Sequence, residues 1–361
     1  METKNRDDVQ VEAIESLLKK KRSGVAVSMG VGKTLIGLKH IDAVSPTKVL
    51  VVAPKKSIFQ SWKDEMIKHN LEHLEPIITF STYISLHKQA LDYDVVYLDE
   101  CHNILSSHEP WLDKFKGMII GLTGTPPRFE KSTKGKLISK FCPIDYSYFV
   151  DDAVSDGILN DYKIVVHMLK LGTAKNMMAG GKTKKWPTSE LESYSYWCDR
   201  IDKATSPHDT MMLRIQRMKA MMTYPSKEIY AKKLFESIED KCILFANTQN
   251  QADKLCRHSY HSENPDSEDN LLKFKAGVIS KLSAVLQLSE GVNIPELRQG
   301  VILHAYGNER KSSQRIGRLL RLNPDETAIV HILCYEDTVD ENWTTSALSV
   351  FDQSKLFYKF L

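Results

Sequence analysis

The chain has 361 residues, a formal net charge of +3, 42% hydrophobic residues and 26% charged residues. This composition excludes a disordered chain, a collagen-like repeat and a coiled-coil rod as overall descriptions. At ~150 residues per domain the length predicts two domains, and the near-neutral charge argues against a wholly polybasic binder while leaving room for a local basic groove.

In chain order, Gly24 to Ser28 reads as a buried strand and Lys33 to Ala43 as a helix. Val49 to Ala53 is a second strand. Ser57 to Lys68 is a second helix, with Ile58, Phe59, Trp62 and Met66 on one side. Ile77 to Phe80, Val95 to Leu98 and Met118 to Leu122 are further short apolar runs. Near-continuous apolar runs separated by helices signal parallel strands buried on both faces, and so an α/β layered domain. After Pro143 the pattern weakens. Asp151 to Asp161 is acidic and turn-rich, and about Thr173 to Met212 reads as irregular. The layering resumes with a helix over Ser226 to Ile238 and a strand at Lys241 to Phe245. Val285 to Leu288, Gly300 to Leu303 and Ala328 to Leu333 follow as strands. The expected organisation is a first domain over 1–150, a joining segment with an insertion over 151–225, and a second α/β domain over 226–361.

The six cysteines form no C-x-x-C pair, so no zinc ribbon or redox motif is encoded. They read as reduced thiols of a cytosol-like compartment. Met1 to Asp8 is charged and has no apolar signal core. Val49 to Ala53 is far shorter than the ~20 residues that cross a bilayer. The expectation is a soluble, cytoplasmic protein that is not secreted and meets no membrane.

Ser28-Met29-Gly30-Val31-Gly32-Lys33-Thr34 sits between an expected strand and an expected helix. A phosphate-cradling loop lies at such a junction, because helix-start amides and the helix dipole favour an anion there. Gly30 and Gly32 let the backbone fold around phosphate, Lys33 reaches the β- and γ-phosphates, and Thr34 ligates Mg²⁺. The full G-x-x-x-x-G-K-[ST] pattern would place glycine where Val27 stands; the inner G-x-G-K-T is intact. A second Gly-Lys-Thr at 181–183 reads as a flexible basic loop, since no strand is expected to run into it.

Asp94 to His102 reads as an apolar strand ending in two carboxylates. ATP hydrolysis needs one carboxylate to hold Mg²⁺, the role suited to Asp99. It needs another to orient and activate water, the role suited to Glu100. Adjacent carboxylates at a strand tip are costly without a cation, so the pair itself argues for a metal.

Asp99-Glu100-Cys101-His102 resembles the DExH box of superfamily 2 helicases and translocases. Further segments follow that family's order. Gln10, with Arg6, resembles the adenine-reading glutamine. Val51 to Lys56, with Pro54, Lys55 and Lys56, and Thr79 to Tyr83, with Ser81 and Thr82, resemble nucleic-acid backbone contacts. Thr123 to Pro127, with Thr123 and Thr125, resembles the segment that couples hydrolysis to domain movement, and His102 belongs with it. In the second half, Asn247 and Thr248, then His261 and Ser262, resemble later strand-contact motifs. Leu288 to Pro295 contributes Ser289 toward nucleic acid and Gly291 and Asn293 toward ATP. Gln314 to Arg321 resembles the sixth motif, with Gln314 catalytic and Arg318 and Arg321 as arginine fingers, and Arg315 beside them.

The resemblance implies two tandem RecA-like parallel-sheet domains with an ATP cleft between them. It implies ATP and Mg²⁺ as cofactors and a hinge between about 150 and 225. Ala53 to Trp62 lacks the threonine-arginine-glutamate run of DEAD-box RNA helicases. It is similar to Swi/Snf-type translocases, restriction-enzyme motors and phage branch-migration helicases, as is Ala153 to Tyr162. This favours DNA over RNA, bound through sequence-independent phosphate contacts. It also favours a small, phage-like monomeric motor of a bacterial, phage-infected or virus-infected cell. An RNA helicase, a duplex tracker that does not part strands and a scaffolding nucleotide binder remain alternatives. For Lys55 and Lys56 the alternative to nucleic-acid contact is a solvated turn, and for Ser81 and Thr82 a helix cap. Trp62, Trp111, Trp197 and Trp343 read as packing, with base-stacking platforms as the alternative.

Overall fold

The computed structural model describes residues 3–28, 30–127, 129–180, 185–285, 294, 297–305, 327–349 and 351–361. These divide into two compact units, the first ending at Asp161 and the second starting at Tyr162.

The first unit opens with helix α1 (Arg6–Leu18), capped by Asn5 and Asp8, whose side chains and backbone amides bond reciprocally. Six parallel strands follow: β1 (Arg22–Val27), β2 (Val49–Ala53), β3 (Ile78–Thr82), β4 (Val95–Asp99), β5 (Met118–Thr123) and β6 (Ile144–Tyr148). Their order in the sheet is β3-β2-β4-β5-β1-β6. The helices between them are α2 (Lys33–Val44), α3 (Ser57–Lys68), α4 (Glu109–Lys114) and α5 (Thr133–Phe141), with α6 (Val150–Ser155) after β6.

Alternate side chains of the same strands enter opposite cores, as the two-residue repeat of a strand requires. Val49, Val51 and Tyr97 join Val9, Leu17, Ile36 and Trp62 on one face. Leu50, Val52, Val96 and Leu98 join Trp111, Phe115 and Phe141 on the other. Both faces being covered explains why these strands read as unbroken apolar runs.

The second unit is built on a sheet ordered β11-β12-β10-β13-β14-β7-β15, whose neighbouring strands all pair in parallel. Its strands are β7 (Tyr162–Leu169), β10 (Cys242–Phe245), β11 (Ser259–Tyr260), β12 (Lys281–Ala284), β13 (Gln299–Ile302), β14 (Ala328–Tyr335) and β15 (Leu356–Phe360). β8 (Met177–Gly180) and β9 (Lys185–Thr188) form a separate antiparallel pair. The helices are α7 (Glu190–Asp202), α8 (Pro207–Met221), α9 (Pro225–Ser237), α10 (Gln249–Leu255), α11 (Ser267–Lys275) and a last one at Val339–Leu348. No helix among the described residues is long and apolar enough to cross a membrane.

Three expectations change. The stretch 173–212 is largely regular, carrying β8, β9, α7 and the start of α8. α7 begins with a capping box between Ser189 and Glu192, and α8 with Ser206 as cap and Pro207 in its first turn. Glu190, 1% exposed, anchors α7 by accepting from the Gly172 and Ser226 amides at 2.7 Å each. Secondly, a strand does run into the second Gly-Lys-Thr: β8 ends at Gly180. It leads to an antiparallel partner rather than to a helix, and 181–183 lie outside the described residues. Thirdly, the strand expected at 285–288 is found at Lys281–Ala284, where pairing to Cys242–Phe245 outweighs a weak local apolar signal. Of the expected run, Val285 lies just past the strand, and 286–288 lie outside the described residues.

Candidate functional site

Parallel strands place all their carboxyl ends on one edge of a sheet, the edge where α/β folds take ligands. Along that edge of the first unit, β3 brings Ser81 and Thr82, and β2 brings Pro54, Lys55 and Lys56. β4 then brings Asp99 and Glu100, β5 brings Thr123 and Thr125, and β1 leads into the glycine loop. The nucleic-acid candidates therefore sit to one side of the nucleotide candidates.

Gly30 and Gly32 have φ of 97° and 102°, left-handed values that strain any side chain. Gly32 is also the residue before α2, and no side chain caps that helix start among the described residues. Lys33 and Thr34 occupy the first turn, where backbone N–H groups suit an anion. Gln10 on α1 is 1% exposed and braces the loop from beneath. Its Nε2 donates to the Val31 carbonyl at 2.8 Å, and its Oε1 accepts from Lys39 at 3.0 Å. A Cβ on Gly32 would fall 2.9 Å from that Nε2, a second reason for glycine there. Arg6, in the first turn of α1, is exposed.

Asp99, the last residue of β4, is 5% exposed. Its Oδ2 accepts from the Trp62 indole N–H at 2.9 Å and its Oδ1 from the Glu100 amide at 2.9 Å. Burial and the neighbouring Glu100 charge push its carboxyl up to about 6, opposed by the Trp62 hydrogen bond and by Lys33. A buried carboxylate beside a second one is a position that a divalent cation relieves. Lys33, which follows the glycine loop and precedes Thr34, lies 3.7 Å from Glu100 and so brings that loop to the acidic pair, and the donor set of Thr34 and Asp99 fits Mg²⁺ with a polyphosphate.

Glu100 adopts φ 49° and ψ 55°. This left-handed backbone costs a side-chain-bearing residue ~1–2 kcal/mol. The carboxylate so placed has Oε1 3.7 Å from Lys33 Nζ and Oε2 3.4 Å from His102 Nδ1. His102 Nδ1 in turn lies 2.9 Å from Thr123 Oγ1 and 3.5 Å from Thr125 Oγ1, and the Thr125 amide donates to Thr123 Oγ1 at 3.1 Å. Lys33, Glu100, His102, Thr123 and Thr125, from three separate sequence segments, thus form one polar chain.

Lys55 and Lys56 are exposed and Pro54 is half-buried at the end of β2. Ser81 is buried, with its hydroxyl toward the Thr82 carbonyl at 3.4 Å, while Thr82 is half-buried. Thr82 occupies a cap position without making a side-chain cap bond. In the second unit, Asn247 follows β10, and its amide oxygen and nitrogen are shielded without a hydrogen-bond partner among the described residues. Thr248 caps α10 through its hydroxyl. His261 is 4% exposed and bonds Asp253 at 2.9 Å. Ser262 is exposed and pairs with Gln249. Met29, Ser289, Gly291, Asn293, Gln314, Arg315, Arg318 and Arg321 lie outside the described residues.

Two residues at the acidic pair were not expected there. Trp62 is fully buried, so it is no stacking platform. The Tyr83 hydroxyl donates to the Asp99 carbonyl at 3.0 Å. A signal for Trp62 existed: it lies on the apolar stripe of α3, and a buried indole N–H requires a polar partner. Trp111 is also packing, stacked on Phe115 with its N–H on the Gln89 carbonyl.

Comparison with known proteins adds to this geometry. Residues 3–128 match the family model described as the res subunit of type III restriction enzymes. Residues 226–323 match the helicase conserved C-terminal domain. The DNA 3'-5' translocase XPB2 of Sulfurisphaera tokodaii is 23% identical over 358 residues, covering 90% of this chain and 81% of that protein. Among solved structures, the DNA-bound Type ISP restriction-modification enzyme LlaBIII superposes with a TM-score of 0.62 at 16% identity, over 100% of this chain and 32% of that one. A putative HsdR subunit of a type I restriction enzyme from Vibrio vulnificus gives 0.62 at 17% identity, over 98% and 68%.

Proposed function

We propose that this chain, a superfamily 2 helicase or translocase, uses ATP hydrolysis to move along or remodel DNA. The observation that carries the reading is the polar chain from Lys33 through Glu100 and His102 to Thr123 and Thr125. It links the phosphate loop, the acidic pair and the segment after β5 in one connected set.

In this reading Lys33, with the amides of Gly30 to Thr34, holds the β- and γ-phosphates. Thr34 and Asp99 hold the cation. When bound, Mg²⁺ supplies charge neutralisation across the phosphate oxygens. Arrival of the γ-phosphate draws Lys33 from Glu100, which leaves the Glu100 carboxylate to orient the attacking water and take up its proton. His102 senses that change and passes it to Thr123 and Thr125. Gln10 positions the loop and, with Arg6, the base. Gln314, Arg318, Arg321, Gly291 and Asn293 complete the nucleotide contacts by resemblance.

Nucleic-acid contacts are assigned to Pro54, Lys55, Lys56, Ser81, Thr82, Asn247, Thr248, Ser262 and Ser289. His261 serves there indirectly, given its burial. DNA as the track is supported by the XPB2 relationship and by the absence of the DEAD-box run after Ala53. A monomer suffices for this motor.

The test is ATP turnover with Mg²⁺, alone and with single-stranded, duplex or forked DNA or RNA, beside Glu100→Gln. Stimulation by DNA, lost in the variant, supports the proposal. Selective stimulation by RNA replaces it with an RNA helicase. Duplex stimulation without strand displacement narrows it to a duplex translocase. No stimulation by any polymer overturns it.

A further inference from the structure

The second helix of the first unit and the acidic strand tip meet on one side chain, Trp62. Its ring is 0% exposed, in the middle of α3. The indole N–H donates to Asp99 Oδ2 at 2.9 Å while the Glu100 amide holds Oδ1 at 2.9 Å. A buried carboxylate gripped at both oxygens cannot turn without leaving polar groups unpaired in an apolar core, which is costly. The far edge of the same ring lies against α2. A Cβ on Gly37 would come 2.7 Å from Trp62 Cη2 and 3.0 Å from Leu122 Cδ1. Glycine in mid-helix is otherwise disfavoured relative to alanine, so position 37 is explained by the indole. Trp62 also packs edge-on against Tyr97, whose hydroxyl bonds His40 of α2 at 2.6 Å. The helix that begins with Lys33 and Thr34 and the strand that ends with Asp99 are therefore spaced by one indole.

We propose that Trp62 is a positioning residue of the nucleotide site, fixing the Asp99 carboxylate and its spacing from the phosphate-loop helix, and through them the site's demand for the divalent cation. This rests on the motor reading above, since it takes Asp99 and Thr34 as the cation's ligands. A residue serving only as core would stabilise the fold without affecting the metal requirement.

The experiment is equilibrium binding of a fluorescent ATP analogue to the full chain, in EDTA and over a MgCl₂ titration, with thermal melts alongside. Trp62→Phe keeps most of the ring volume and removes the N–H. Its nucleotide affinity in EDTA should stay within about twofold of wild type, while the Mg²⁺ half-saturation rises at least tenfold. Gly37→Ala keeps the N–H and displaces the ring, and should shift the half-saturation about threefold in the same direction. It serves as the test if Trp62→Phe does not fold. A lowered melting temperature with unchanged Mg²⁺ half-saturation in either folded variant overturns the positioning role and leaves the motor reading standing. A wild-type chain whose nucleotide binding has no Mg²⁺ dependence removes both.

Discussion

His102 Nδ1 lies 2.9 Å from Thr123 Oγ1, joining the second residue past the acidic pair at the end of β4 to the last residue of β5. Both side chains are buried, at 7% and 0% exposed. The hydroxyl also accepts from the Thr125 amide at 3.1 Å. Replacing Thr123 by valine keeps the shape and removes both bonds. We expect nucleotide affinity within about threefold of wild type and a DNA-stimulated turnover lowered roughly tenfold, the loss of ~1.4 kcal/mol of hydrogen bonding. Basal and stimulated turnover measured side by side check this.

Glu100→Gln should retain nucleotide binding and lose turnover by a factor of about 10² or more, as expected when a group that orients water is neutralised. The amide keeps the size of the side chain and its left-handed backbone, so the melting temperature should barely move. Single-turnover hydrolysis separates this from a binding defect.

Lys55 and Lys56 stand exposed at the end of β2. If both neutralise phosphates, Lys55→Gln/Lys56→Gln should reduce the slope of log K against log salt by about 1.5–2 and weaken binding alike for different sequences. Fluorescence anisotropy over a salt series reads the slope directly.

The second unit carries a buried ion pair between Lys227 and Asp340, 1% and 0% exposed at the side chain. Burial alone would raise the Asp340 carboxyl; Lys227 and His304 hold it far below the usual range. Lys227→Met should cost about 3–5 kcal/mol by leaving a buried charge uncompensated, and Asp340→Leu in the same chain should recover most of it. Urea unfolding of the single and double variants tests this.

His167 and His331 face each other across β7 and β14, Nε2 to Nδ1, at 3.0 Å. Tyr230 bonds the outer nitrogen of one, and Gln299 that of the other. Burial, with the mutual histidine contact for His167 and Lys359 nearby for both, pushes each down from 6.5 to about 4. The unfolded chain therefore binds more protons between those values. Stability from the neutral pair is complete above about pH 6.5 and is lost as pH falls toward 4, by about 2 kcal/mol for each histidine between pH 7 and pH 5. The urea midpoint should fall over that interval, and less steeply in His331→Gln.

Much of the first unit was legible before folding. Val49–Ala53 and Ser57–Lys68 stand where their apolar patterns placed them, because a strand covered on both faces and a one-sided helix carry strong local signals. The glycine loop and the acidic pair are contiguous, so their residues announce themselves. The stretch 173–212 was not legible, since α7 is rich in serine and aromatic residues and only its capping box marks its start. β15, Leu356-Phe357-Tyr358-Lys359-Phe360, is apolar and aromatic in sequence yet was not read as a strand, and four of its five residues are exposed at the sheet edge.

The sequence by itself determined the motifs from which contacts to phosphate, cation and water are proposed, and their order along the chain. That follows because each motif is a short run whose backbone shape depends on its own glycines and strand ends. The tertiary structure alone decided which groups serve those motifs. Trp62 meets Asp99 across 37 residues, Gln10 meets Val31 across 21, and Lys227 meets Asp340 across 113. Such pairs depend on strand order and on burial, which forces every enclosed N–H and charge to find a partner however distant along the chain.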